Sequence, residues 1–160
     1  MPKLQQRVIE GPFGPIQISH DRWPSVIARV QGAGMPTVTV VPDRDHGAMN
    51  INGHDVPTTR ARNRTRTAVV GDRAYELRPT SLRRAELRRN GVLIAHARGT
   101  YRSYAPGSTI PGLDARVNWS QGIDPTDVAV GQAMLLAFGA GAPGALLRFC
   151  LFWYDNFGPN

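Results

Sequence analysis

The chain has 160 residues, 17 of them glycine and 13 proline, and carries a formal net charge of +7. That length fits one domain burying about two-thirds of its unfolded surface, and so much Gly and Pro argues for a turn-rich, strand-rich fold over a helix bundle. A single cysteine, Cys150, excludes a disulfide framework and a cysteine-rich zinc site.

Lys3 is the only lysine, so arginine supplies nearly all of the positive charge. Such a surplus implies attraction to a polyanion: an anionic lipid surface, nucleic acid or acidic protein. The opening residues MPKLQQRVIEGPFG contain no apolar signal-peptide core. The expected setting is a bacterial cytoplasm, with the membrane surface as a peripheral location.

In chain order, residues 1–36 are interrupted by five prolines and read as an N-terminal edge segment, with short strands at 17–18 and 26–30. Residues 37–120 read as antiparallel strands. TVTVV at 37–41 is a β-branched run, and Asn52-Gly53 in the polar loop after it is a hairpin signal. Residues 58–70, TTRARNRTRTAVV, place Arg60, Arg62, Arg64 and Arg66 at period two, which on one extended strand puts four guanidiniums on one face. Gly71-Asp72 turns the chain into a strand at 74–78. Strands at 82–89 and 92–98 flank Asn90-Gly91, a type I′ turn pair. Residues 100–111 are a loop, and ARVNWS at 115–120 is the last strand.

Asp124-Pro125-Thr126-Asp127 is a helix start: an N-cap, a proline in the first turn, and a carboxylate at the positive end of the dipole. The segment that follows is apolar all round, which means burial in protein or lipid, and GAGAPG stops it, giving a central helix at 124–139. Residues 128–147 are 20 uncharged positions, about the length of a bilayer span. The glycine–proline break and the dilution by Ala and Gly favour a buried helix instead. A second apolar segment occupies 144–155. Its Phe149, Phe152, Trp153 and Tyr154 suit a partner subunit, self-association or a bilayer, and Cys150 among them reads as a small buried hydrophobe.

The meander AYELRP…RRAELRRNGVLIAHARG, a strand ending in Trp119 and then DPTDVAVGQAMLLAFGAG resemble the tubby C-terminal-like superfamily, which includes the plant LURP-one-related proteins and the phospholipid scramblases. The resemblance covers residues 70–145. It implies a many-stranded antiparallel barrel closed around one hydrophobic helix near the chain's end, and a non-enzymatic role. Tubby proteins bind phosphoinositides through a basic surface pocket, and no residue of that pocket is carried over to this chain.

Arginine forks match phosphate geometry bidentately. The anion-binding candidates are therefore Arg60, Arg62, Arg64 and Arg66, together with Arg84 and Arg88, which share a strand face with Glu86. A charged edge strand that resists aggregation explains the same pattern. The two clusters form one basic patch only if strand 58–70 lies beside the 82–98 hairpin. Arg83 and Arg89 share the other face, Arg89 reaching outward beside the turn. Asp43, Asp45, His46, His54 and Asp55 gather near one turn, but their spacing matches no metal-ligand pattern. His96 is expected half-buried on the Val92/Ile94 face. Ser19, His20 and Asp21 are sequence neighbours, which is not catalytic geometry, and no G-x-S-x-G, Walker or G-x-G-x-x-G motif is present. The expectation is a single-domain, mainly β protein: an antiparallel barrel or curled sheet enclosing a C-terminal hydrophobic helix. It is expected to be non-catalytic, to need no cofactor or metal, and to bind an anionic partner. Nucleic acid is the less favoured one, because no aromatics interleave with the arginines.

Overall fold

Local turn chemistry lays out most of the topology. In the computed structural model, which describes residues 5–21, 26–43, 47–61, 64–99, 110 and 112–141, Asn52 (φ 48°) and Gly53 (φ 88°) join β5 (Ala48–Ile51) to β6 (His54–Val56). Asn90 (φ 50°) and Gly91 (φ 83°) join β10 (Arg84–Arg89) to β11 (Val92–Arg98). Both central residues of each pair are left-handed, as a type I′ hairpin demands. Gly71-Asp72 likewise links β8 (Arg66–Val70) to β9 (Arg73–Pro79).

The remaining strands are β1 (Gln5–Gly11), β2 (Gly14–Asp21), β3 (Ile27–Gly32), β4 (Val38–Val41), β7 (Thr58–Arg60) and β12 (Arg116–Trp119). They form two six-stranded antiparallel sheets, ordered β1 to β6 and β12 to β7. The N-terminal segment is more regular than its prolines suggest, because Pro12-Phe13 falls in the turn of a full β1–β2 hairpin. Pro57 interrupts the passage from one sheet to the other, and its carbonyl accepts from the Val69 amide at 3.1 Å. Among the described residues no ladder closes the arrangement into a barrel. β1 and β12 remain edges, and a tie between them is the Arg7 side chain, whose Nη1 donates to Asp114 at 2.9 Å and to the Leu113 carbonyl at 3.2 Å, both just before β12.

After the strands comes α1 (Pro125–Phe138), with every residue from Asp127 to Phe138 buried. It packs on β3, β4 and β5 of the first sheet and on β9 of the second. Its core neighbours include Ile16, Val30, Val40, Tyr75, Leu77 and Leu87. Gly131 lies where an added Cβ would be 2.5 Å from Leu87 Cδ2 and 2.8 Å from Trp119 Cη2, so the missing side chain sets the docking depth. At the far end the Asp43 amide donates to the Ala137 carbonyl at 3.0 Å, and Gly139 closes the last turn onto Leu135 at 2.7 Å. The 14-residue helix is about 21 Å long at 1.5 Å per residue, and among the described residues no helix is long and apolar enough to cross a membrane. The second apolar segment, with Phe149, Cys150, Phe152, Trp153 and Tyr154, lies outside the described residues.

Two expectations are corrected. Residues 58–70 are not one strand: the chain reverses after β7, with Arg64 at φ 65° and the Ala61 amide donating to the Thr65 carbonyl at 2.9 Å. The period-two arginines therefore never share an extended face. Arg60 instead stands opposite Arg66 across the β7–β8 pair, and Arg62 lies outside the described residues. His96 is exposed, not half-buried. The β10–β11 register slips between Leu87 and Arg88, so Ile94 is an extra residue and both it and Ala95 are buried. That bulge moves His96 to the opposite face, across from Glu86.

Candidate anion-binding face

Alternation along β10 buries Ala85 and Leu87 and turns Arg84, Glu86 and Arg88 outward. The bulge then decides what they meet. An unbroken two-residue hairpin would pair Arg84 with Ala97; the extra residue brings Arg98 opposite it instead, and β12 adds Arg116 opposite Arg98. The result is a cross-strand row, Arg84–Arg98–Arg116, of three exposed guanidiniums on the outer face of the second sheet. Among the described residues none of the three has an ion-pair partner. Like charges directly opposite one another destabilise a sheet, and an anion laid across them removes that cost. A groove of about 660 Å³ follows the row and is also lined by Thr80, His96 and Asn118.

Two residues along, the parallel row on the same face runs Arg78–Glu86–His96–Asn118. Arg88 Nη2 donates to Glu86 at 2.9 Å. The Glu86 carboxyl is held below the usual carboxylate range, first by that hydrogen bond and then by the charges of Arg88, His96 and Arg78. Glu86 is thus already neutralised by Arg88, and the Arg84–Arg98–Arg116 row keeps its excess charge.

The other candidate arginines lie elsewhere. Arg66 pairs with Leu77, which pairs with Leu87, so Arg66 and Arg60 belong to the inner side of the sheet. The Arg66 guanidinium sits 4.8 Å from the Phe138 ring centroid, a cation–π contact with the end of α1. Arg84 and Arg88 are on the outer side, so the two clusters do not merge into one patch. Arg98 and Arg116 were missed because no motif marks them; only pairing register assembles the row. Asp43, His54 and Asp55 are exposed, Asp45 and His46 lie outside the described residues, and no cluster of three metal-ligating side chains occurs among the described residues. Strand alternation turns His20 inward, away from Ser19 and Asp21.

A second concentration of charge is a clasp at the start of α1. Asp124 is the N-cap and accepts from the Asp127 amide at 2.9 Å, while the Asp127 carboxylate accepts from the Asp124 amide at 3.1 Å. Asp127 is fully buried and also accepts from Tyr75 Oη at 2.7 Å, Arg73 Nη1 at 3.0 Å and Arg89 Nη1. Arg73 Nη2 reaches Asp124 at 2.6 Å. Arg89 therefore points inward rather than snorkelling out. The Arg73 guanidinium keeps the Asp124 carboxyl below its ordinary range, and burial, reinforced by Asp127, pushes the Tyr75 phenol up. With each oxygen of Asp127 engaged by donors, the clasp fixes the helix to β9 and β10 and offers no free valence for chemistry. No protein-family model, curated protein or solved structure matches this chain.

Proposed function

We propose that this is a non-catalytic binding protein whose basic outer face engages phosphate groups on an anionic surface, with phospholipid headgroups at a bilayer as the partner. The supporting observation is the exposed Arg84–Arg98–Arg116 row. Three guanidinium forks at strand spacing, about 5 Å apart, present repeated bidentate donors to a phosphate-bearing surface. The one-residue register shift at Ile94 is what brings Arg98 opposite Arg84. On this reading the protein is cytoplasmic and peripheral to the membrane. The tubby-like arrangement, strands wrapped around a terminal helix, is part of the same proposal. Its supports are the consecutive strand order, the complete burial of α1 from Asp127 to Phe138, and packing of that helix on strands of both sheets.

Flotation with anionic and neutral vesicles, at low and high salt, tests the reading. The protein should float with anionic vesicles alone and be released as salt rises, since surface attraction is screened within about 10 Å at 0.1 M. Joint replacement of Arg84, Arg98 and Arg116 by Ser should abolish flotation, while Arg60→Ser with Arg66→Ser should spare it. Failure to float with anionic vesicles at low salt sinks the proposal.

A further inference from the structure

Where β1 and β12 fail to pair, the two sheets leave a slot of about 700 Å³ that reaches α1. Its walls include Arg7, Ile9 and Glu10 from β1, Arg116, Val117 and Trp119 from β12, Gln132 from the helix, and Arg83 and Asp114. Gln132 is the only polar side chain of α1 after Asp127 in sequence, and it is 5 % exposed. Its side-chain amide has no hydrogen-bond partner among the described residues. Its amide nitrogen and oxygen keep access to the slot and are not sealed into the core. The amide offers two donors and one acceptor to whatever occupies the slot. Trp119 supplies a broad aromatic wall beside it, fixed in place by contact with Gly131. Arg116 stands at the outer margin, shared with the groove on the outer face.

We infer that this slot binds a small anionic ligand bearing a planar, hydrogen-bonding ring, of the nucleoside monophosphate class. The Gln132 amide pairs with a donor–acceptor edge of the ring, as Gln does with a base edge. Trp119 contacts the ring, and Arg116 takes the phosphate. The inference shares Arg116 with the proposed lipid-binding row, whereas Gln132 and Trp119 line only the slot.

Calorimetric titration of the full chain with adenosine, guanosine, cytidine and uridine 5′-monophosphates, against inorganic phosphate and the uncharged nucleosides, tests it. At least one monophosphate should bind more tightly than phosphate or its own nucleoside. Gln132→Leu should weaken that binding about tenfold, the worth of one hydrogen bond, without lowering the thermal midpoint. Arg84→Ser with Arg98→Ser should leave it unchanged. Trp119→Phe, which keeps an aromatic wall, serves as the second variant and should also weaken binding. No heat with any monophosphate, equal affinity for phosphate alone, or wild-type affinity in both slot variants would overturn the inference. Vesicle flotation by Gln132→Leu should match the wild type, so the two proposals fail separately.

Discussion

Replacing Asp127 removes the acceptor shared by Tyr75, Arg73 and Arg89. Asp127→Asn keeps the shape but leaves two guanidiniums facing an amide. The expected loss is about 3 kcal/mol, the lower end of what breaking a buried pair costs. Arg73 and Arg89, with side chains 30 % and 25 % exposed, recover part of their solvation. Urea unfolding should show a lower midpoint at unchanged slope; an unchanged midpoint would show that the clasp adds nothing to stability. The pH dependence has a definite sign at the neighbouring carboxylate. Asp124 has its folded-state pKa depressed below the ordinary 3.8, chiefly by the Arg73 hydrogen bond. Its contribution is therefore present above pH 3.8 and lost as pH falls through the lower folded value. Asp124→Asn should flatten the acid limb of stability below about pH 4. Tyr75 acts on the other limb: burial raises its pKa above 10.0, so stability falls once pH exceeds that value, and Tyr75→Phe should remove that dependence. Equal acid limbs for wild type and Asp124→Asn would refute the coupling to Arg73.

At the scale of elements, docking of α1 depends on two glycines that fail differently when filled. At Gly131 an added Cβ meets only side-chain atoms of Leu87 and Trp119. Overpacking there costs about 1–3 kcal/mol, and alanine returns about 1 kcal/mol of helix propensity. At Gly112 the Cβ would enter the Leu135 carbonyl of the helix backbone, which cannot rotate away. Gly112→Ala should therefore lower the thermal midpoint clearly more than Gly131→Ala, and the reverse order would mean that the 112–115 turn yields before the helix does. The same scale divides what was legible in sequence. Asn52-Gly53 and Asn90-Gly91 carry their turn type in their own chemistry, and Asp124-Pro125 carries the helix start, so these elements read directly. The reversal at 61–65 puts a non-glycine residue, Arg64, in the left-handed region, and no composition signal marks it. The extra residue at Ile94 is equally silent in sequence, yet it decides both the exposure of His96 and the partners of Arg84. Arg73 and Asp127 are 54 positions apart and meet only after the sheet and helix have docked. Asp127 itself was conspicuous as the last charge before an uncharged run, but its partners were not.

For the whole molecule, the weak place is the β1–β12 seam: neighbouring strands within each sheet are held by backbone ladders, and the other unladdered junction, β6 to β7, is covalently continuous through Pro57. β1 is mostly exposed along its length, and its tie to the other sheet is the Arg7–Asp114 bridge, whose side chains are 47 % and 42 % exposed. An ion pair so open to solvent is worth about 0–1 kcal/mol. The β10–β11 hairpin, by contrast, is laddered on both sides and clasped to α1 through Arg89. Global unfolding should therefore hardly register Arg7→Ser, while local opening should register it strongly. Hydrogen exchange followed by mass spectrometry provides the readout: amides of β1 and β12 should exchange faster in Arg7→Ser, with β9, β10 and β11 unchanged. High salt should speed the wild type toward the variant, because the bridge is screened. If β1 instead exchanges as slowly as β10 in both proteins, the seam is held by more than Arg7 and the edge is not the place where this fold opens.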